Sequence, residues 1–237
     1  MSKLVLGLLE LIGYKEWTES LGFDREWSIQ TIQSNIYAEL QKAAASVEAF
    51  LIPLSMDNMI LVLNGVRERA YNELYETASS LSPVPVGLTI IDTRDPILEV
   101  YPRGKPGLHI RTVNPVKPIA AIHVDMNYFS NLRRRTGSIA SYIRIIDFYS
   151  RVSKKLSGRP AIASYLGGDN LIVFTTPEFV DDVVSIIFES MGEDDYKIGI
   201  GVAETPRRAL RAAAKALGRL RSNDRFGRIE SIRELDE

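Results

Sequence analysis

The strongest candidates for chemistry in this sequence are two aspartates, each at the end of an apolar run. Asp125 ends the run that contains His123, and Asp169 follows Gly167 and Gly168 in a Gly-Gly-Asp-Asn turn. Two apolar runs separated by such a turn are typical of a β-hairpin, whose glycines let the backbone turn sharply and a ligand approach closely. An aspartate at the hairpin tip can bind a metal ion or a metal-bound phosphate, although Gly and Asp are also ordinary turn residues.

Composition limits the cofactors and partners that such a site can use. The chain has 237 residues, no cysteine and only two histidines, His109 and His123. Thiol nucleophiles, disulfides and cysteine-ligated zinc are excluded, so metal chemistry must rest mainly on oxygen ligands, which favours Mg²⁺ or Mn²⁺ over Zn²⁺. A net charge of −1 gives no general attraction to nucleic acid or membranes. No apolar run approaches the ~20 residues of a membrane span.

An internal repeat runs through the sequence. The Asp-Asn pair at Asp57 matches the Asp-Asn pair at Asp169, and Gly87 matches Gly199, both 112 residues later. Each of these glycines lies in an apolar run, Val-Gly-Leu-Thr-Ile in the first case and Ile-Gly-Ile-Gly-Val in the second. Two separate landmarks at one offset predict two copies of one fold.

Each copy shows apolar runs and amphipathic stretches in the order β-α-β-β-α-β. We therefore predict an α+β fold of two tandem ferredoxin-like domains, residues 1–112 and 113–237, with the proline- and glycine-rich residues 93–118 as their connection. The predicted strands are 3–12, 49–54, 59–63, 86–91, 119–124, 161–165, 171–174, 196–203 and a short one near 227–232. The predicted helices are 25–45, 66–80, 138–156, 177–190 and 206–221.

This topology predicts where the two aspartates meet. The first and third strands of a β-α-β-β-α-β sheet are central neighbours, so Asp125 should lie beside the hairpin tip that carries Asp169. Two carboxylates this close repel unless a divalent cation lies between them, which predicts a Mg²⁺ site. His123 shares a strand face with Asp125 and could act as a base near neutral pH, or only form a hydrogen bond beside the site. In the first copy Ile12 falls opposite Asp125 in the alignment, so Asp57 lacks a second carboxylate.

These motifs resemble the palm domain of nucleotide cyclases and polymerases, in which a strand-end Asp and a hairpin acid bind two metals over a triphosphate. GGDEF-type diguanylate cyclases have Glu where this chain has Asn170, which disfavours cyclase chemistry here. The whole chain is more similar to the archaeal GTP cyclohydrolase III family, which has two palm-type domains with His-x-Asp-x-Asn and Gly-Gly-Asp-Asn motifs. Those motifs are residues 123–127 and 167–170 of this sequence, and other positions also fit: Tyr14, Trp17, 57–60, 64–65 and 199–201.

The resemblance implies Mg²⁺- or Mn²⁺-dependent hydrolysis of GTP to 2-amino-5-formylamino-6-ribosylamino-4(3H)-pyrimidinone 5′-phosphate and phosphate, a step toward riboflavin and deazaflavins. It implies a catalytic set, a metal-binding set and a nucleotide-binding set of residues. The first is Asp125, Asp169, His123 and Asn170; the second is Asp125, Met126 and Asp169; the third is Gly167, Gly168, Asn127, Phe129, Arg221 and Arg225. A monovalent cation is a further candidate cofactor, and zinc is not expected. We expect a cytoplasmic homo-oligomer that binds GTP, with neither nucleic acid nor membrane as a partner.

The arginine pair lies in a strongly basic stretch, residues 207–228. A solvated basic face is the usual interpretation of such a stretch. In the related cyclases, however, two basic residues four positions apart grip the β- and γ-phosphates, and Arg221 and Arg225 have the spacing that puts both on one helix face.

Two other functions stay open at this point. A nucleotide cyclase-like nucleotidyl transferase is disfavoured by Asn170. A non-catalytic GTP-binding regulator is favoured by Ile12, because the family is expected to have an acid there.

Overall fold

The first half of the chain forms a five-stranded sheet. A computed structural model describes residues 3–111, 113, 118–192, 195–222 and 228–235. The elements of the first sheet are β1 (Leu4–Leu11), α1 (Tyr14–Ser20), α2 (Glu26–Ser46), β2 (Phe50–Ser55), β3 (Asn58–Val62), α3 (Arg69–Leu81), β4 (Val86–Thr93), α4 (Pro96–Glu99) and β5 (Gly107–Ile110). Across the sheet the strands lie in the order β2-β3-β1-β4-β5, with β1 antiparallel to β3 and β5 parallel to β4.

The second half repeats this architecture. Its elements are β6 (Ile119–Met126), α5 (Phe129–Thr136), α6 (Ser138–Lys155), β7 (Ala161–Gly167), β8 (Asn170–Thr175), a 3-10 turn (Pro177–Phe179), α7 (Val180–Met191), β9 (Tyr196–Ala203), α8 (Pro206–Ser222) and β10 (Ile229–Glu234). From the hairpin edge the strand order is β7-β8-β6-β9-β10, the same as in the first sheet. The predicted α+β fold of two tandem ferredoxin-like units is confirmed, with a parallel fifth strand added to each.

The chain divides into two compact units, one of residues 5–93 and 100–116, the other of residues 1–4, 94–99 and 117–237. The boundary at residues 112 and 113 stays a prediction. We predicted that residues 93–118 are a connection between the domains. They are more than that, because they contain α4 and the sheet strand β5. Both elements have only four residues, too few to show a periodic pattern among the surrounding prolines and glycines. None of the helices in the described ranges is both long and apolar enough to cross a membrane.

Two short helices also escape prediction from the sequence. α1 and α5 have seven and eight residues, about two turns each, so their apolar spacing hardly repeats. Each begins after a residue in the left-handed region, Gly13 with φ 78° and Tyr128 with φ 56°. These two residues are therefore equivalent points in the two repeats.

Strand register gives a second, independent match between the repeats. Glu10 on β1 lies opposite Asn58 on β3, as Asp125 on β6 lies opposite Asn170 on β8. The next backbone bond is also the same, because Leu11 N donates to the Asp57 carbonyl (2.9 Å) and Met126 N to the Asp169 carbonyl (3.4 Å).

Glu10 therefore has the position of Asp125 in the first repeat, and the prediction that Ile12 does was wrong. Ile12 matches Asn127 instead, since the backbone N–H groups of both bond across to the chain just before β4 and β9. The sequence could not show this, because β1 is buried on both faces and so lacks the polar–apolar alternation that would fix its register.

The second sheet has two faces with different roles. Ile122, Val124 and Met126 of β6 point into a core that includes Phe148 of α6. Successive residues of a strand point to opposite faces, so Ala121, His123 and Asp125 point to the other face, which α8 covers.

Two glycines of β9 let α8 lie directly on this second face. A Cβ atom on Gly199 would be 2.3 Å from the Ala213 carbonyl oxygen, and one on Gly201 would be 2.0 Å from the Ala209 carbonyl oxygen. Any larger residue would push the helix away from the strand. The close packing fixes where the end of α8 lies above Asp125.

We predict that Gly201→Ala lowers the free energy of unfolding by about 3 kcal/mol, because the new methyl group overlaps helix backbone that cannot move independently. Gly218→Ala is the matched control, since no atom lies within 4 Å of a Cβ there. That variant should gain roughly 0.5–1 kcal/mol through better helix propensity. Urea denaturation of both proteins gives the measurement, and equal effects of the two substitutions would contradict the packing argument.

Candidate active site

Asp125 is the centre of a row of three side chains on neighbouring strands. The register places Asn170 of β8 on one side of it and Lys197 of β9 on the other. Directly opposite residues of antiparallel strands point to the same face, so all three point toward α8. The next row along the strands contains His123, between Gly199 and Ile172.

Arg221 brings a positive charge to this row. Its Nη2 atom lies 2.9 Å from the Asp125 Oδ2 atom, and the arginine side chain is 55% exposed while the aspartate side chain is 12% exposed. Arg221 belongs to the last turn of α8, whose position depends on the β9 glycines. The structure thus places Arg221 beside Asp125, a contact that the sequence did not predict. Its predicted role in gripping phosphates stays a prediction, and Arg225 lies outside the described residues.

Asp169 lies at the hairpin tip, close enough to interact electrostatically with Asp125. Burial raises the pKa of the Asp169 carboxyl group above its ordinary value, and the negative charge of Asp125 raises this pKa further. The charges of Arg221 and His123 oppose the shift. The two carboxylates are therefore brought together at neighbouring strand ends, as the topology predicted.

Asn170 links Asp169 to His123. Its Nδ2 atom donates to Asp169 Oδ1 at 2.9 Å, and its Oδ1 atom lies 2.9 Å from His123 Nε2. Because an amide oxygen only accepts, Nε2 carries the hydrogen in this contact. Burial lowers the pKa of His123, although the hydrogen bond to Asn170 and the charge of Asp125 oppose this. A neutral imidazole then has its lone pair on Nδ1, which is buried without a hydrogen-bond partner among the described residues.

The turn between β7 and β8 needs both of its glycines. Gly167 has φ 102° and Gly168 has φ 61°, values that residues with a side chain rarely adopt. No atom lies within 4 Å of a Cβ built on Gly167, so the space beside this backbone is open. The backbone conformation of the turn therefore explains both glycines, whether or not a phosphate binds there.

The remaining predicted residues lie around the end of β6. The side chains of Met126 and Phe129 are 4% and 8% exposed and belong to the core, so only their backbone groups can contact a ligand. The Asn127 backbone and side-chain nitrogens both donate to Asp195, at 2.8 Å each. Sequence analysis missed Asp195 and Lys197. The position of Lys197 could have revealed it, because it lies two residues before the repeat landmark Gly199 and therefore on the same strand face.

The donor set fits a hard divalent cation. Within the residues that the structure describes, no group of three or more His, Cys, Asp or Glu side chains could hold a metal ion. Asp125 and Asp169 supply two carboxylates. Burial, and then the negative charge of Asp125, raise the pKa of Asp169, and a positive ion would offset both effects. The other ligands would be backbone carbonyls, water and phosphate oxygens, as is common for Mg²⁺.

The sequence matches the family model described as GTP cyclohydrolase III over residues 6–102 and 107–233. Curated relatives named GTP cyclohydrolase III include a protein of Aeropyrum pernix, 33% identical over 224 residues, covering 92% of this chain and 92% of that protein. A protein of Saccharolobus solfataricus is 30% identical over 220 residues, covering 91% of this chain and 94% of its own length. One of Sulfurisphaera tokodaii is 32% identical over 216 residues, with coverages of 88% and 90%.

Solved structures similar to about half of the chain include GGDEF domains. The GGDEF domain of PA1120 from Pseudomonas aeruginosa is 22% identical with a TM-score of 0.41, covering 51% of this chain and 83% of that one. The GGEEF domain of a diguanylate cyclase from Vibrio cholerae is 16% identical with a TM-score of 0.41, covering 50% and 85%.

We predict that Asp169→Asn does not destabilise the metal-free protein at neutral pH and raises its Tm. A carboxyl group whose pKa is raised on folding binds its proton more readily in the folded state, so stability falls as pH rises through this range. The asparagine removes that cost. Thermal unfolding in EDTA should show the advantage at pH 7 and its disappearance below about pH 3.5, where aspartates are protonated. Asp24→Asn, at an exposed position, is the control. A less stable Asp169→Asn protein at pH 7 would contradict the electrostatic account.

Proposed function

The chain belongs to the GTP cyclohydrolase III family, and from this premise we propose that it is a hydrolase that acts on GTP. The products would be 2-amino-5-formylamino-6-ribosylamino-4(3H)-pyrimidinone 5′-phosphate and inorganic phosphate, which serve riboflavin and deazaflavin synthesis. The observation that carries the proposal is the pair Asp125 and Asp169 at neighbouring strand ends, with Arg221 beside them. The same premise extends to a homo-oligomer and to activation by a monovalent cation.

Asp125 and Asp169 would hold Mg²⁺, or Mn²⁺ in its place, with the Met126 carbonyl as a further oxygen ligand. The bound cation would neutralise the triphosphate and polarise the phosphoryl group toward water. Lys197 stands on the other side of Asp125 in the same row and adds a positive charge for an anionic substrate.

Arg221 would change partners when substrate binds. In the structure its guanidinium group compensates the charge of Asp125, and it is more than half exposed. Asp125 and Asp169 would hold the cation, whose positive charge would supply the same compensation to Asp125. The guanidinium group could then turn to the distal phosphates, whose oxygens match its fork of donors. Arg225 is proposed to assist it.

The His123–Asn170–Asp169 chain would keep the site in its working geometry. Asn170 donates a hydrogen bond to Asp169 and so orients the carboxylate. His123 donates from Nε2 to the Asn170 Oδ1 atom and so holds the amide in this orientation. Because burial lowers the pKa of His123, the imidazole would stay neutral near neutral pH and keep Nε2–H as the donor to Asn170. An ionised glutamate at position 170 could not donate to Asp169, so this hydrogen bond depends on the asparagine.

The alternative function, a non-catalytic GTP-binding regulator, is no longer favoured by Ile12. That alternative depended on Ile12 in place of an acid, and the strand register assigns that position to Glu10.

We predict that Asp125→Asn and Asp169→Asn each reduce turnover of GTP by about 100-fold or more, since even outer partners of a metal site typically contribute 10–100-fold. EDTA should abolish activity of the parent protein. Asp57→Asn is the matched control and should have a much smaller effect, because the first repeat has Leu8 at the position of His123 and backbone amides in place of Arg221. The measurement is mass spectrometry of the products at saturating Mg²⁺. If Asp57→Asn were the most damaging of the three, the catalytic carboxylates would not be Asp125 and Asp169.

We predict that Arg221→Ala weakens binding of GTP far more than binding of GMP, because GMP lacks the distal phosphates. Each charge-assisted hydrogen bond lost costs roughly 1.5–3 kcal/mol, or about one to two decades of affinity. Arg219→Ala removes an equally exposed arginine of α8 that pairs with Glu230 and should leave both affinities unchanged. Titration calorimetry with the two nucleotides gives the comparison. Equal weakening of GTP and GMP would place Arg221 away from the distal phosphates.

A further inference from the structure

Glu10 of the first repeat is a buried acid that is only half satisfied. It is 5% exposed, so more than nine-tenths of the residue is buried. Its Oε1 atom accepts hydrogen bonds from the backbone nitrogens of Arg103 at 2.9 Å and Gly104 at 3.0 Å. Its Oε2 atom is buried and has no hydrogen-bond partner among the described residues. A buried carboxylate oxygen without a donor is costly, so this atom needs an explanation.

Directly opposite Glu10, Asn58 shows a second oxygen of the same kind. Its Nδ2 atom donates to Asp57 Oδ2 at 3.0 Å, while its Oδ1 atom is buried without a partner within the described ranges. Glu10 and Asn58 are paired in the β1–β3 ladder, so their side chains lie side by side on one face.

The second repeat shows what is missing. There the matching asparagine, Asn170, has its Oδ1 atom bonded to His123, and the matching acid, Asp125, is paired with Arg221. The residue that corresponds to His123 in the first repeat is Leu8, opposite Ile60 as His123 is opposite Ile172. A leucine cannot donate a hydrogen bond, so the first repeat lacks this donor.

Rearranging the side chains does not remove the deficit. Turning the Asn58 amide over would bring its nitrogen toward Glu10, but it would set Oδ1 against the Asp57 carboxylate. The three side chains together offer several acceptor oxygens and only one NH₂ group. A positive ion that accepts lone pairs from the oxygens of all three side chains would satisfy the oxygens that lack a donor.

We propose that the first repeat holds a hard divalent cation, Mg²⁺ or Mn²⁺, bound by Glu10 Oε2, Asn58 Oδ1 and the Asp57 carboxylate. Glu10 and Asp57 supply two negative charges that match the charge of the ion. Carboxylate and amide oxygens are the ligands that such cations prefer, and water or a backbone carbonyl completes the coordination. Because Glu10 also holds the Arg103 and Gly104 amides, the ion ties that segment to the β1–β3 pair.

Binding of Mn²⁺ followed by electron paramagnetic resonance tests the site in the full-length chain. The background is Asp125→Asn with Asp169→Asn, which removes the carboxylate pair of the second repeat. This protein should still bind one Mn²⁺ per chain, and adding Glu10→Gln should reduce that affinity at least about tenfold. Adding Glu76→Gln, at an exposed helix position, should leave it unchanged. No Mn²⁺ binding in the background protein, or binding that Glu10→Gln does not alter, would overturn the proposal.

Thermal unfolding gives a second readout that a purely structural Glu10 would not produce. Glu10→Gln keeps the acceptor for Arg103 and Gly104 and adds a donor for Asn58 Oδ1, so in EDTA its Tm should equal or exceed that of its parent. Mg²⁺ should raise the Tm of the background protein and not that of its Glu10→Gln derivative. An equal rise in both would contradict the site.

Should the glutamine variant fail to fold, Asn58→Asp provides the test in the opposite direction. The added negative charge should tighten Mn²⁺ binding and lower the Tm in EDTA. Unchanged Mn²⁺ affinity would contradict the proposal.

Discussion

Repulsion between two carboxylates is the constraint on which the candidate site depends. The pairing of β6 with β8 brings Asp125 and Asp169 to adjacent strand ends, and burial together with the charge of Asp125 raises the pKa of Asp169. The surrounding groups compensate this cost. Arg221 neutralises Asp125, and Asn170 donates to Asp169. The fold therefore keeps two acidic side chains close together at the expense of stability.

The close packing of α8 on β9 is what makes this compensation available. Gly199 and Gly201 leave no room for a side chain beneath the helix, and so α8 runs along the strand and ends above the site. The first repeat keeps a glycine at the matching place, and a Cβ on Gly87 would lie 2.6 Å from the Lys105 carbonyl oxygen. The covering backbone differs between the repeats, yet the need for a residue without a side chain is the same.

The two repeats share a framework and differ in the side chains placed on it. Histidine and arginine partners in the second repeat become leucine and backbone amides in the first. Repetition of the same sheet thus yields two clusters of acid and amide groups at equivalent strand ends. The proposed chemistry belongs to the cluster of the second repeat, which includes the titratable His123 and the exposed guanidinium group of Arg221.

Sequence alone determined the duplication, the fold class and the meeting of the two aspartates of the candidate site. The 112-residue offset between hairpin aspartates and between glycines is a property of the chain, and β-α-β-β-α-β topology then requires Asp125 and Asp169 to meet. The long periodic elements were also predictable, with β9 correct at both ends. The periodic spacing of apolar residues therefore predicts helices and strands that are long enough for the pattern to repeat.

Tertiary structure decided what spacing does not encode. The identity of Glu10 as the counterpart of Asp125 came only from strand register, because a strand that is buried on both faces carries no alternation. The helices α1 and α5 and the strand β5 are too short for a periodic signal. The contact of Arg221 with Asp125 joins residues 96 positions apart, through a helix whose height above the sheet is set by packing. Such contacts depend on the folded arrangement of several elements, so no local pattern in the sequence predicts them.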